Sequence, residues 1–180
     1  ADTLSVFGSR PIYHFTKSGL TFNYGYDYRK LDDDITAFSD MDSRKHSHSV
    51  HAGITGFEHR TGLAVNYEVK ATTGSVSMDS ERSRAMDTTY GEHTSGRYTK
   101  GEGNFTAVQQ LGHRSDVMVK ASGQIASHNL DGSEEMYLGG ASGVRAYPQG
   151  EGSGDEGVMG TIEPRFYTNV PGLVVSTYLD

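Results

Sequence analysis

The segment 19–29 has the most regular hydrophobic pattern in the chain, and it reads Gly19-Leu20-Thr21-Phe22-Asn23-Tyr24-Gly25-Tyr26-Asp27-Tyr28-Arg29. Apolar and aromatic residues occupy the even positions, and polar residues or glycine occupy the odd ones. Side chains alternate between the two faces of a β-strand, whereas a helix would scatter this set around its axis. The segment therefore predicts a β-strand with one apolar face and one polar face.

The same period of two continues along the chain. Residues 63–72 alternate as cleanly, and residues 117–125 alternate with less regularity. Weaker strands are predicted at 3–12, 48–57, 97–109, 135–139, 158–168 and 173–180. Since no window shows a convincing helical period, the sequence predicts an all-β protein of about nine strands.

The lengths of the connections favour one architecture. Long polar loops are predicted at 31–47, 74–95 and 140–157, and short turns lie between them, although the connection at 129–134 is short where a long one is expected. Barrels of the outer membrane alternate short turns with long loops, and soluble sandwiches do not. Strands of about ten residues also suit a tilted transmembrane strand. The sequence thus predicts an antiparallel transmembrane β-barrel.

Aromatic clusters at the predicted strand ends support the same architecture, because aromatic girdles mark the two membrane interfaces. They are Tyr13 and Phe15, Tyr26 and Tyr28, and Phe166 and Tyr167. The alternative is a self-contained small β-barrel or β-sandwich that acts as a binding or adhesion module. An antiparallel soluble sheet also alternates, and 180 residues suit a complete eight-stranded barrel.

Composition excludes several other classes. The 180 residues carry 16 Lys+Arg against 23 Asp+Glu, a net charge of −7, which argues against non-specific nucleic-acid binding. No apolar run exceeds three residues, whereas a transmembrane helix needs about 20. The absence of cysteine excludes disulfides and a cysteine nucleophile.

Two groups in the first long loop are candidates for a metal site. The acidic residues Asp32, Asp33, Asp34, Asp40 and Asp42 could offer oxygen ligands to calcium, but they lack the Gly and the terminal Glu of a calcium-binding loop and are better explained as a solvated loop. The histidines at the end of the loop are the other candidate. His46 and His48 are spaced so that an extended strand points both imidazoles the same way, and His51 follows closely. The simpler interpretation is that all three are solvent-exposed at a loop–strand boundary. We predict no metal site and keep this cluster as the alternative.

Catalytic motifs are not evident in the sequence. The glycine-rich segment 150–157 carries three acidic residues, which would repel a phosphate group. Gly152-Ser153-Gly154 lacks the strand and helix that surround a nucleophilic serine. We therefore predict that the protein is not an enzyme and uses no cofactor.

The segment 137–148 is the most specific motif, and it reads Tyr137-Leu138-Gly139-Gly140-Ala141-Ser142-Gly143-Val144-Arg145-Ala146-Tyr147-Pro148. It resembles the barrel loop of two-partner-secretion transporters, the haemolysin secretion/activation proteins of the BamA-like superfamily, whose signature is Val-Arg-Gly-aromatic. Ala146 replaces the glycine and, with Pro148, matches the form usual in this branch. The stretches 1–5, 25–31, 124–134, 157–166 and 176–180 also resemble this family.

The resemblance implies a sixteen-stranded barrel in the bacterial outer membrane, with the signature loop folded back into the lumen. Residues 1–180 would be a single barrel segment of about nine strands that contains the lumen loop at 140–157 and neither of the family's periplasmic domains. The implied function is the secretion of a haemolysin or an adhesin, with outer-membrane lipid around the barrel.

In this family the signature arginine pairs with an aspartate on a later strand. The resemblance therefore makes Asp180 the first candidate partner of Arg145, and Glu163 the second. The planar guanidinium can bind a carboxylate through two parallel hydrogen bonds. Pro164, inside a predicted strand, predicts a local irregularity because proline cannot donate to the ladder.

The polar face of the predicted strands would line the lumen. Its residues are Asn23, Asp27, Asn66, Glu68, Lys70, Lys120, Gln124, Glu163 and Arg165.

Overall fold

The computed structural model describes residues 2–33, 43–79, 94–140, 143–148 and 150–180, and these are all-β as predicted. The strands β1 to β10, in chain order, are Asp2–His14, Ser18–Asp33, Ser43–Arg60, Leu63–Met78, Gly96–Gly112, Ser115–Ala126, Met136–Tyr137, Ser153–Gly154, Gly157–Tyr167 and Val174–Ser176. This part of the chain holds no helix able to cross a membrane.

Eight of the strands form one antiparallel sheet in the order β1-β2-β3-β4-β5-β6-β9-β10. Neighbours in the chain are neighbours in the sheet, except that residues 127–156 separate β6 from β9. Strands β7 and β8 lie within that excursion and pair with each other. The sheet is open, since β1 and β10 form its two edges.

The pairing register separates an apolar outer face from a polar inner face. Phe22, Ile54 and Val69 stand opposite one another in one outer row. The adjacent row brings Asn23, Lys70 and Gln124 to the inner face, with Lys70 paired to Glu102 at 2.9 Å. Every residue of the predicted lumen set falls on this inner face. The alternation in the sequence therefore predicted correctly which residues lie on each face of the sheet.

The outer face leaves large apolar side chains exposed, and no second sheet covers it in the described ranges. Exposed examples are Leu4, Val6, Phe22, Val69, Val158 and Ile162. A self-contained sandwich would bury such a face against another sheet. The structure therefore does not support that alternative.

Residues 135–139 differ from the prediction. Only Met136–Tyr137 is a strand, and it pairs with Ser153–Gly154 rather than with the large sheet. The predicted loop at 140–157 is thus the second part of a longer connection, residues 127–156, which we call the inner loop. The short connection at 129–134 is no exception to the loop pattern, since it lies inside this longer one.

The other connections follow the predicted alternation, with longer strands. Strand β2 extends to Asp33, β3 begins at Ser43 and β4 extends to Met78. The remainder of the two long loops, 34–42 and 80–93, lies outside the described residues. The β3–β4 turn has Gly62 at a φ of 74°, a left-handed conformation that glycine adopts without strain.

The irregularity predicted for the strand that contains Pro164 does not occur in β9, and that prediction is wrong; the effect of the proline is seen in β10 instead. Strand β9 is continuous, and its register with β6 is unshifted. The carbonyl of Pro164 accepts a hydrogen bond of 3.3 Å from the amide of Thr177, but proline has no N–H to return. Strand β10 accordingly stops at Ser176, and one isolated bridge, between Ile162 and Leu179, follows in the same register.

The predicted aromatic clusters lie mostly on the outer face. Tyr13, Tyr26 and Phe166 are exposed there. Tyr167 differs, because its position in β9 has the same parity as Glu163 and Arg165. Its hydroxyl donates to Asp116 at 2.6 Å, so this tyrosine belongs to the inner face and not to an outer girdle.

Candidate functional site: the inner loop and its contacts with the barrel wall

The inner loop folds on itself through backbone hydrogen bonds. The amide of Val144 donates to the carbonyl of Leu138 at 2.7 Å, and the amide of Leu138 donates to Gly152 at 2.8 Å. Gly139 forms a parallel bridge with Val144, and the amide of Gly140 donates to Tyr147 at 3.0 Å. These bonds satisfy backbone groups that would otherwise need water. The loop is therefore a defined element that can place a side chain accurately.

Arg145 is the residue that this element presents to the sheet. Its Nε and Nη2 atoms donate to the two carboxylate oxygens of Asp180 at 3.2 and 3.1 Å, and Nη1 donates to Glu163 at 2.8 Å. The backbone amide of Arg145 also donates to Asp180, at 3.0 Å. Both carboxylates named from the sequence thus bind this guanidinium simultaneously. These hydrogen bonds, with Asp180 first, raise the pKa of Arg145 above its ordinary value.

The β9–β10 register explains why the two acids converge. The register that pairs Ser176 with Arg165 and Leu179 with Ile162 sets Asp180 opposite Thr161 on the inner face. The Thr161 hydroxyl donates to Asp180 at 2.8 Å and fixes its carboxylate. The guanidinium of Arg145 also lies 3.5 Å from the ring centroid of Tyr178, a cation–π contact. We call Arg145 with its two carboxylates the tip contact.

The other motif residues shape the loop around Arg145. Val144 is half-buried, whereas Ala146, Tyr147 and Pro148 are exposed. The amide of Tyr147 donates to the carbonyl of Val144 at 3.1 Å, so a tight turn surrounds Arg145. The side chain of Tyr147 is 55% exposed.

A second group of contacts, which we call the root contact, holds the start of the inner loop. Asp131 accepts from Lys45 at 2.7 Å, and Glu134 accepts from Arg29 at 2.7 Å and from Lys100 at 3.0 Å. The Lys100 ammonium also donates to the Glu134 carbonyl at 2.9 Å. Three strands of the wall, β2, β3 and β5, thus bind two residues of the loop, Asp131 and Glu134. No local pattern in the sequence indicates this contact.

The root contact lies next to a buried hydrophobic cluster. Leu130 is 1% exposed and packs with Val76 and Tyr98 in the one buried hydrophobic cluster of the described residues. Burial alone would raise the pKa of Asp131. Hydrogen bonds from Lys45 and Ser133, together with the charge of Lys45, outweigh it and hold that pKa below its usual range. The carboxylate therefore stays ionised although it is buried.

A cleft remains between the inner loop and the wall. Its volume is about 520 Å³, and Glu102, Asn104, Gln124 and Tyr137 are among its lining residues. These four side chains are polar or charged, so water can fill the cleft. The inner loop occupies the inner face without packing tightly against all of it.

The three histidines do not come together. His46 and His48 lie on the outer face, where His46 contacts Asp79 at 2.7 Å and His48 contacts the hydroxyl of Tyr26 at 2.6 Å. His51 lies on the inner face and contacts Asp27 at 3.1 Å. Over the described ranges, no group of three potential ligands could hold a metal ion. An odd spacing puts His48 and His51 on opposite faces of one strand, a signal the sequence already contained.

Known proteins resemble the chain in sequence and in fold. Residues 3–161 match the family described as haemolysin secretion/activation protein ShlB/FhaC/HecB. No protein with curated annotation matches the chain. Among solved structures, CdiB from Escherichia coli matches 98% of the chain at 17% identity and a TM-score of 0.74. CdiB from Acinetobacter baumannii matches 98% at 15% identity and a TM-score of 0.68.

The chain spans about a third of each CdiB structure, 33% and 30% of their lengths. At these identities the structural likeness establishes the fold alone, an open antiparallel sheet that corresponds to part of the CdiB barrel. The family match extends over most of the sequence, and it includes the segment with Arg145. The chain therefore belongs to the haemolysin secretion/activation protein family ShlB/FhaC/HecB, whose members are β-barrel transporters of the bacterial outer membrane.

Proposed function

We propose that this chain is part of an outer-membrane transporter that secretes a large exoprotein of the haemolysin or adhesin type by two-partner secretion. The observation that carries the proposal is the tip contact, in which the inner loop binds Asp180 and Glu163 on the inner face through Arg145. A loop fixed across the inner face occupies the path that an exoprotein would take. Its attachment would therefore control passage.

The inner face suits an unfolded polypeptide. Acidic and basic side chains alternate along it, as in the Lys70–Glu102 pair and the Arg165–Asp116 pair at 2.7 Å. Mixed charge that is already paired within the wall offers a passing chain weak and interchangeable contacts. In this proposal the transporter forms and breaks no covalent bond, uses no cofactor and binds no nucleic acid. The apolar outer face would contact outer-membrane lipid.

Arg145→Ala in the full-length transporter is expected to lower secretion of the exoprotein about tenfold, within the range usual for coupling between two sites. Alanine removes all three side-chain hydrogen bonds to Asp180 and Glu163. The measurement is the amount of exoprotein in the culture medium, relative to the amount of folded transporter in the outer membrane. The amount of inserted transporter should not change, because the sheet does not depend on this side chain.

The control is Arg60→Ala at the β3–β4 turn. Arg60 is exposed and binds its near neighbour Glu58, so its loss should leave secretion as in the wild type. Secretion by Arg145→Ala equal to that by Arg60→Ala would refute the proposed role of the tip contact.

A further inference from the structure

The inner loop is attached to the wall at two separate places. The tip contact joins Arg145 to Asp180 and Glu163, beside strands β9 and β10. The root contact joins Asp131 and Glu134 to β2, β3 and β5. The two contacts share no residue and no strand. One of them can therefore open without breaking a bond of the other.

The two contacts differ in the number of cations that hold the loop. The tip contact depends on one cation, Arg145, whose side chain is 30% exposed, while its acceptors Glu163 and Asp180 are 13% and 5% exposed. At the root, three cations from three strands bind the loop: the side chains of Arg29, Lys45 and Lys100 are 30%, 16% and 8% exposed, and those of Asp131 and Glu134 are 4% exposed. Acids are buried at both contacts, so burial alone does not rank them. Movement of one loop side chain releases the tip contact, whereas release of the root breaks ion pairs to three strands.

Further bonds reinforce the root. Gln124 donates to the carbonyl of Glu134 at 3.2 Å and to that of Asp155 at 3.0 Å. The Asp155 carboxylate accepts from the amide of Leu130 at 2.8 Å. The inner loop is thereby fixed near 134 and near 155 to the same side chain of β6, and Asp155 in turn holds Leu130. The bonds at the root hold the loop where it leaves and re-enters the sheet.

We propose that Asp131 and Glu134 are positioning residues that anchor the root of the inner loop independently of Arg145. When the tip contact opens, the part of the loop between these ends swings, and the root stays on the wall. This proposal rests on the proposed function in one respect: it treats the swing of the loop as a step of transport. The anchoring itself is a property of the transporter without its exoprotein.

The test uses a single cysteine at position 130 in a full-length transporter that has no other cysteine, probed with a maleimide in the absence of exoprotein. Leu130→Cys should react slowly, because the site is buried. It should remain slow when Arg145→Ala is added. Adding Asp131→Asn and Glu134→Gln instead should accelerate the reaction about tenfold or more, since Arg29, Lys45 and Lys100 then lose the carboxylates that hold the loop on the wall.

Glu135→Gln is the matched control. Glu135 is the next residue, is half-buried and forms no ion pair with any described residue, so its change should not alter the rate. Resistance of the folded barrel to SDS before heating reports folding separately. If the double variant fails to fold, Asp131→Lys replaces it, and combining it with Lys45→Asp should restore slow labelling by reversing the pair at 2.7 Å.

Two results would overturn the proposal. One is fast labelling with Arg145→Ala alone, which would make the root dependent on the tip. The other is labelling that stays slow in the folded root variants. Neither depends on whether secretion occurs, so a failure of the proposed function would be recognised separately by the secretion assay.

Discussion

Val69→Arg should lower the fraction of the full-length transporter that reaches its folded form in the outer membrane. Val69 is 55% exposed on the outer face, near the middle of β4 and in one row with Phe22 and Ile54. An arginine on the lipid face of a barrel costs about 2–4 kcal/mol at the bilayer midplane. That is a large part of the stability of a typical protein. The measurement is the fraction of transporter that migrates as folded barrel before heating.

Glu68→Arg, one position earlier, is the control. It introduces the same side chain in the same strand, but the register places it on the inner face opposite Thr55 and Asn104. A wet inner face can solvate the guanidinium, so the folded fraction should stay near that of the wild type. Equal losses from the two variants would contradict the assignment of the faces, as would no loss from Val69→Arg.

Gly139→Ala should reduce secretion to background while the barrel still inserts. A Cβ at this buried glycine would overlap the carbonyl oxygen of Pro148 and lie 3.0 Å from that of Glu151. Both obstacles are backbone atoms, which no rotamer change can move. The backbone segments around 139 and 148 would have to move apart. The turn that carries Arg145 would then shift away from Asp180. The expected loss is at least as large as that of Arg145→Ala.

Gly154→Ala is the matched control within the same loop. A Cβ there would lie 3.6 Å from the carbonyl oxygen of Glu156, which is an ordinary contact. Secretion should therefore persist. The readouts are exoprotein in the medium and folded barrel in the membrane. Wild-type secretion by Gly139→Ala would show that the close backbone approach is not needed to place Arg145.

The sequence alone predicted the sheet and its two faces because strand periodicity is a local property. The alternation from Leu20 to Tyr28 needs no knowledge of distant residues. The resemblance to the family supplied the pairing of Arg145 with Asp180 and Glu163, which alternation by itself could not have named. The prediction of a strand over 135–139 was wrong because the pairing of a strand depends on distant residues. A short apolar run does not say whether its partner is the sheet or, as here, the loop segment Ser153–Gly154.

The root contact was missed because its partners are distant in the sequence. Asp131 and Glu134 lie in a short polar stretch that reads as a solvated turn, and nothing near them indicates burial. Arg29 and Lys45 are separated from them by 105 and 86 positions. The alternation of side chains along the strands does place Arg29, Lys45 and Lys100 on the inner face. Only the folded sheet shows which acidic residues form ion pairs with these cations.

These separations also determine the order in which the barrel can assemble. The hairpins β1–β2, β3–β4 and β5–β6 close over turns of a few residues, which is entropically inexpensive and fast. The ion pair from Arg29 to Glu134 requires β2 through β6 to be in register first, since it joins residues 105 positions apart. Docking of the inner loop is therefore a late event in folding. Until it occurs, Arg29, Lys45 and Lys100 and the acids that they bind are hydrated, so we expect these charges to lose their water only when the inner loop docks.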